Sequence, residues 1–205
     1  IQLFKTKLVQ TNEVQRASYL YPIFSEISSI VNKSLTLIEI GTSAGLLLNL
    51  DGYHYQIKQN PSINFGNPQS SLTIRAENLG QPLSKLKKPI IQSRIGIDLN
   101  IIDINDEEQY EWLKCLIWPE LKNRKVNLEK ARQIHQQYPK QLLAGDFREI
   151  LPKLLKKDFY KESQIIIFHT HVANQFSSQL KEDLIQLLQK FSTKQPIFHV
   201  YNNMY

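Results

Sequence analysis

Carboxylates, small residues and imidazoles stand at a few sharply bounded places in the sequence, each just after an apolar run. Glu39 lies near the end of LTLIEIG, where a buried carboxylate without a partner is costly, so it suggests a specific role. The turn that follows holds Gly41, Thr42, Ser43, Ala44 and Gly45 and leads into the apolar stretch LLLNL, read as a helix. Small residues before a helix N-terminus let backbone N–H groups meet an anionic or polar ligand. Asp98 and Asn100 end RIGIDLN, Asp146 with Phe147 beside it ends QLLAGD, and His169 and His171 end QIIIFHTH. A carboxylate accepts two hydroxyl hydrogen bonds at once, and an imidazole titrating near neutrality can act as a base, the role assigned to His169. His169 and His171, two apart, share one side if the strand continues, but as a metal pair they lack an evident third ligand, so no metal is expected.

The elements that position these groups follow from periodicity. Val14, Ala17, Leu20, Phe24, Ile27, Ile30 and Val31 predict a helix capped by Thr11 or Asn12, kinked or restarted near Pro22 and closed by Asn32, Lys33 and Ser34. Strands are predicted over 35–41, 94–100, 141–146, 164–171 and at PIFHVY. Asn105 and Glu108 match a capping box for a helix ending near Trp118 and Pro119, and a further helix runs from Leu121 to Tyr138. Ser177 caps an amphipathic helix through Leu180, Leu184, Leu187, Leu188 and Phe191. Five strand–helix alternations predict a mostly parallel sheet of order 3-2-1-4-5 wrapped by helices, a three-layer α/β domain. Ligands of such sheets bind at the carboxyl ends of the strands, where the polar residues collect. Residues 53–93, with alternating Tyr53 and Tyr55 and the half-buried pattern SLTIRAE, read as an inserted β-hairpin or meander.

Composition sets the bounds. The 205 residues, 41% hydrophobic, suit one domain over 1–205 with an N-terminal helical segment over 1–33. A net charge of +6 permits nucleic-acid binding but does not favour it, because Lys and Arg form only short clusters such as Lys87-Lys88 and Lys156-Lys157. Cys115, the single cysteine, reads as core and excludes an internal disulfide, which suits the cytoplasm. No apolar run approaches the roughly 20 residues that span a bilayer, so no membrane association is expected. A chain beginning at Ile1 leads to the expectation that natural N-terminal sequence precedes it.

With Glu39 two places before Gly41, and with Ser43, Gly45, Asp98 and Asp146 in their places, the sequence resembles Rossmann-like methyltransferases that use S-adenosylmethionine. The resemblance implies that the glycine turn passes under the methionine part of the cofactor, Asp98 holds the ribose hydroxyls and Asp146 reaches the adenine amine. More specifically, TNEVQRASYLYP, EIGTSAGLLLNLDGYHY, RIGIDLNIIDINDEEQYEWLKCLIWPE and FHTHV resemble an uncharacterised bacterial family regarded as methyltransferase-like. Asn12, Glu13 and Arg16 belong to that signature and, with His171, are candidate contacts for an acceptor whose identity the sequence leaves open. The insertion places Asp98 much further from Glu39 than the roughly 20 residues of a simple βαβ step.

Two other readings stand beside this one. GTSAG fits G-x-S-x-G, in which Ser43 is a nucleophile, Asp146 or Asp103 the orienter and His169, His171 or His199 the base of an α/β-hydrolase-like esterase. Alternatively the chain is a non-catalytic module that binds a nucleoside cofactor, or a partner through the tyrosine-rich insertion. Each acid also has a structural role open to it: Glu39 in an ion pair, Asp98 in a turn with Asn100 and Asp103, Asp146 as a helix N-cap.

Overall fold

The structure is a computed structural model and describes residues 9–10, 12–84, 86–156 and 162–204. Five strands, β1 (Leu35–Ile40), β5 (Ile91–Asp98), β6 (Gln141–Ala144), β7 (Gln164–His169) and β8 (Ile197–Tyr201), form a parallel sheet in the order β6-β5-β1-β7-β8. All six residues of β1 are buried, as suits a central strand covered on both faces. Alternation divides its side chains: Leu35 and Leu37 join one core, Ile38 and Ile40 the other. Glu39 therefore shares its face with Leu35 and Leu37.

That face is covered by α1 (Ala17–Val31), α2 (Glu107–Cys115), α3 (Lys122–His135) and a small second sheet. The second sheet holds β2 (His54–Lys58), β3 (Ile63–Gly66) and β4 (Thr73–Glu77), with β2 antiparallel to β3 and parallel to β4. The insertion is thus a separate mixed sheet. The opposite face is covered by α4 (Phe147–Leu155) and α5 (Ser178–Ser192), the latter capped by the Ser177 hydroxyl. Among the described residues, no helix is long and apolar enough to cross a membrane.

Several local expectations are corrected. The segment after the glycine turn is a kinked 3-10 helix over Leu47–Gly52, buried throughout, and presents no regular helix N-terminus to a ligand. Helix α1 begins only at Ala17, after a 3-10 turn over Val14–Arg16 capped by the Glu13 carboxylate, and Pro22 lies inside an unbroken helix. Thr11 lies outside the described residues. The N-cap of α2 is Asp106, whose carboxylate accepts from the Gln109 N–H, while the Asn105 side chain bonds to Asp103 and Gln136. The Asn105–Glu108 and Asp106–Gln109 spacings overlap, and the second supplies the cap, with Gln109 Oε1 accepting instead from the Asp103 N–H. Cys115 is exposed, because Tyr110 and Leu113 take the buried face of α2 and a residue two places on falls on the far side. Strand β7 stops at His169, and His171 opens a 3-10 turn as an exposed side chain, so the two histidines do not share a face.

Candidate functional site

The carboxyl ends of β1 and β5 are joined by the turn that follows β1. Gly41 and Thr42 both donate their N–H groups to the Ile97 carbonyl, at 2.8 and 3.3 Å. Gly41 has φ +75°, and a Cβ there would meet Val172 at 2.5 Å, so both backbone and space require glycine. Ser43, at φ +50°, donates its N–H to Asp98 Oδ2 at 2.8 Å, and its hydroxyl accepts from Asn12 Nδ2 at 2.6 Å. Asn12 also accepts the Ala44 N–H. The chain before α1 is thereby tied to the turn.

Asp98 is well supplied with donors. Its Oδ1 accepts from the Asn100 N–H at 3.1 Å and from Gln10 Nε2 at 3.2 Å, while Gln10 also exchanges hydrogen bonds with Asn100. A carboxylate offers about four lone-pair positions, and three are taken. Gln10 holds the one that a mobile side chain could give up.

Glu39 is buried behind this turn and accepts a hydrogen bond from Thr42 Oγ1 at 2.7 Å. Burial pushes its carboxyl up to about 8, against the opposing pull of Thr42 and of the Arg16 guanidinium, and nearby Asp98 adds to the rise. It is protonated for the most part at neutral pH. Arg16 in turn donates to Thr170 Oγ1 at 2.9 Å, bringing the start of α1 to the end of β7.

Two cavities open at this edge of the sheet. The smaller, about 180 Å3, is lined by Gly41, Asp98, Leu99, Asp146, Phe147 and Val172 among others. The larger, about 490 Å3, takes in Asn12, Glu13, Arg16 and His171 together with Tyr19 and Trp118. Gln10 borders both. A narrow void lined by Asn12, Arg16, Glu39, Gly41 and Thr42 lies between Arg16 and the turn.

The remaining candidates fall into place less simply. Asp146 caps α4 through the Arg148 N–H at 2.8 Å and pairs with the Arg148 guanidinium at 2.6 Å, which holds its carboxyl below the usual range. Both oxygens are committed to Arg148, so the N-cap role is the one its carboxylate performs here. His169 is buried against His199, with Nε2 atoms 3.1 Å apart, and flanked by Tyr201 and Phe176. It lines neither cavity, and burial pushes it down to about 3, so it is neutral across the ordinary pH range and does not titrate near neutrality as expected. His171 bonds to Asn174. Among the described residues, no histidine is hydrogen-bonded to Ser43, and no group of three or more His, Cys, Asp or Glu is placed to hold a metal ion. Ser43 Oγ thus has Asn12, not an imidazole, as its hydrogen-bonding partner.

Gln10, Leu99, Val172, Tyr19, Trp118 and Arg124 line these cavities without having been singled out from the sequence. Leu99, adjoining Asp98, was within reach of that reasoning. Gln10 carried no signal, since it meets Asp98 across 88 positions of chain.

The fold and site define an α/β protein with a parallel sheet and a bipartite cleft at its carboxyl edge. Over residues 1–205 the chain matches the family described as "Uncharacterized protein conserved in bacteria (DUF2332)", and it belongs to that family. No curated protein and no solved structure matches it.

Proposed function

We propose that this protein binds S-adenosylmethionine in the smaller cavity and transfers the methyl group to an acceptor. The observation that carries the reading is the convergence of Gly41, Asp98 and Phe147, from three separate strand ends, on one hollow. Numbered among the five strands alone, the sheet order is 3-2-1-4-5, so strand order reverses at β1, where ligands of open α/β sheets bind. The residues fit the cofactor on one condition. If Gln10 withdraws, Asp98 has two acceptor positions to offer, one on each oxygen, which matches the paired hydroxyls of a ribose. Leu99, Phe147 and Val172 give apolar walls for a base. At about 180 Å3 the hollow is below the 300–1,000 Å3 of usual small-molecule sites, and withdrawal of Gln10 enlarges it toward the neighbouring cavity.

The cofactor supplies an activated sulfonium methyl, so the protein's part is to hold an acceptor in line and exclude water. A general base is optional on this account, which agrees with a buried, neutral His169.

Calorimetric titration of the full chain with S-adenosylhomocysteine tests the proposal. Binding is expected, with Asp98→Ala weakening it more than tenfold and Gln10→Ala tightening it severalfold by removing the competing donor. No binding to the folded protein would overturn the cofactor reading. Binding indifferent to Asp98→Ala would overturn the assignment of the site, and binding without transfer to any acceptor would leave a nucleoside-binding module.

A further inference from the structure

We propose that the larger cavity binds an uncharged flat ring that carries a carbonyl acceptor, its ring against Trp118 and its carbonyl toward Tyr19 and His171. This ligand class rests on the cavity itself; the proposed function decides only whether such a molecule is methylated. At about 490 Å3 the cavity is of the size that small-molecule sites take. One wall, from the end of α2 to the start of α3, carries Leu113, Leu116, Ile117 and Leu121. Trp118, on the same stretch, is 73% exposed, a large aromatic surface facing water beside an apolar wall. A flat ring laid there removes apolar surface from water and stacks on the indole.

The opposite wall is polar, and its charges are engaged within the protein. Glu13 and Arg124 form an ion pair at 2.5 Å. Arg16 donates to Thr170 Oγ1 at 2.9 Å and lies in the field of the same Glu13. A charged ligand would give up its water to meet ionic groups that already have partners, whereas an uncharged one loses little.

Neutral groups on that wall are donors. The Tyr19 hydroxyl accepts from Asn202 Nδ2 at 2.9 Å, which fixes the oxygen and leaves its own proton to donate. Burial raises the phenol, so that proton stays on it. Asn174 Nδ2 donates to His171 Nδ1 at 3.3 Å, which places the ring proton on Nε2 as a second donor. Asn12 Nδ2 and Gln15 Nε2, on the same wall, are already given to Ser43 Oγ and the Arg75 carbonyl. Donors held in this way call for an acceptor on the ligand, and they discriminate against molecules that lack one.

The test is calorimetric titration of the full chain with coumarin, an uncharged bicycle with a carbonyl, and with two controls. Coumarin-3-carboxylate adds a charge to the same ring, and indole is an uncharged bicycle without a carbonyl. Coumarin is expected to bind at least tenfold more tightly than its carboxylate and severalfold more tightly than indole. Trp118→Ala is expected to weaken coumarin and indole alike, whereas Tyr19→Phe weakens coumarin severalfold and leaves indole unchanged. Both side chains reach solvent, and unchanged circular dichroism and urea midpoints verify the fold of each variant. Coumarin binding that is undetectable, no tighter than that of its carboxylate, or indifferent to either substitution would overturn the inference. S-adenosylhomocysteine is titrated in parallel. Failure with coumarin while S-adenosylhomocysteine binds removes this ligand class alone. Failure with S-adenosylhomocysteine while coumarin binds removes the cofactor reading and leaves this site standing.

Discussion

Glu39 shares its face of β1 with Leu35 and Leu37, and its carboxyl accepts a hydrogen bond from the Thr42 hydroxyl. Because burial raises its pKa from 4.5 to about 8, the unfolded chain releases this proton at lower pH than the folded protein does. Below about pH 4.5 both states hold the proton, and stability does not change with pH on account of this group. Between about 4.5 and 8 the unfolded state binds fewer protons, so stability falls as pH rises, by an amount on the order of a few kcal/mol. Glu39→Gln keeps an acceptor for Thr42 and removes the titration. Urea unfolding at pH 5 and pH 8 is expected to show wild type losing more stability across that interval than the variant; equal losses would mean that Glu39 is ionised and paired with Arg16 in the folded state. At this scale the sequence was informative wherever a residue violated its surroundings. An acid in LTLIEIG stands out by itself, whereas Gln10 sits in a polar segment and is given meaning only by Asp98, 88 positions away.

At the scale of elements, strand register decides what can approach the site. Glu39 pairs with Gly96 on β5, and that missing side chain is what leaves room for Thr42 to bond the carboxyl. A Cβ on Gly96 would lie 2.5 Å from Thr42 Cγ2 and 2.6 Å from its Oγ1. Gly96→Ala is therefore expected to destabilise by about 1–3 kcal/mol through overpacking and to steepen the stability loss from pH 5 to 8, since Glu39 would lose its hydroxyl partner. Urea denaturation at the two pH values measures both; a change below about 0.5 kcal/mol would show that Thr42 moves aside without cost. The strands themselves were legible because apolar runs with β-branched residues bounded by turns leave few alternatives. What followed Gly45 was not: Leu46 to Gly52 are all buried, so no polar stripe distinguishes a 3-10 segment from an α-helix. The end of β7 was overestimated for a related reason, as FHTHV lacks the glycine or proline that marks a stop before the 3-10 turn that follows His171.

At the scale of the molecule, the insertion is part of the core. Tyr53, Tyr55, Phe65, Leu72 and Ile74 of the insertion join the same buried cluster as Phe24 of α1 and Leu37 of β1. Tyr21, Tyr55 and Phe65 pack with ring centroids 5.0 to 5.1 Å apart. Two buried phenols bind the small sheet to the 3-10 segment, Tyr53 donating to the Leu46 carbonyl and Tyr55 to the Leu50 carbonyl, each at 2.6 Å. A sheet attached in this way cannot open without exposing the face of β1 that carries Glu39, so insertion and main sheet unfold together. Tyr55→Phe removes one hydrogen bond and keeps the ring, and the Leu50 carbonyl still receives the Tyr53 N–H at 3.4 Å, so the expected cost is about 1 kcal/mol. The urea midpoint is expected to shift equally whether followed by far-ultraviolet circular dichroism or by fluorescence of Trp112 and Trp118, which report on the α2 end of the larger cavity. A separate early phase in the dichroism of the variant, with the tryptophan transition left in place, would show the insertion to be an independent unit and would uncouple it from the floor of the site.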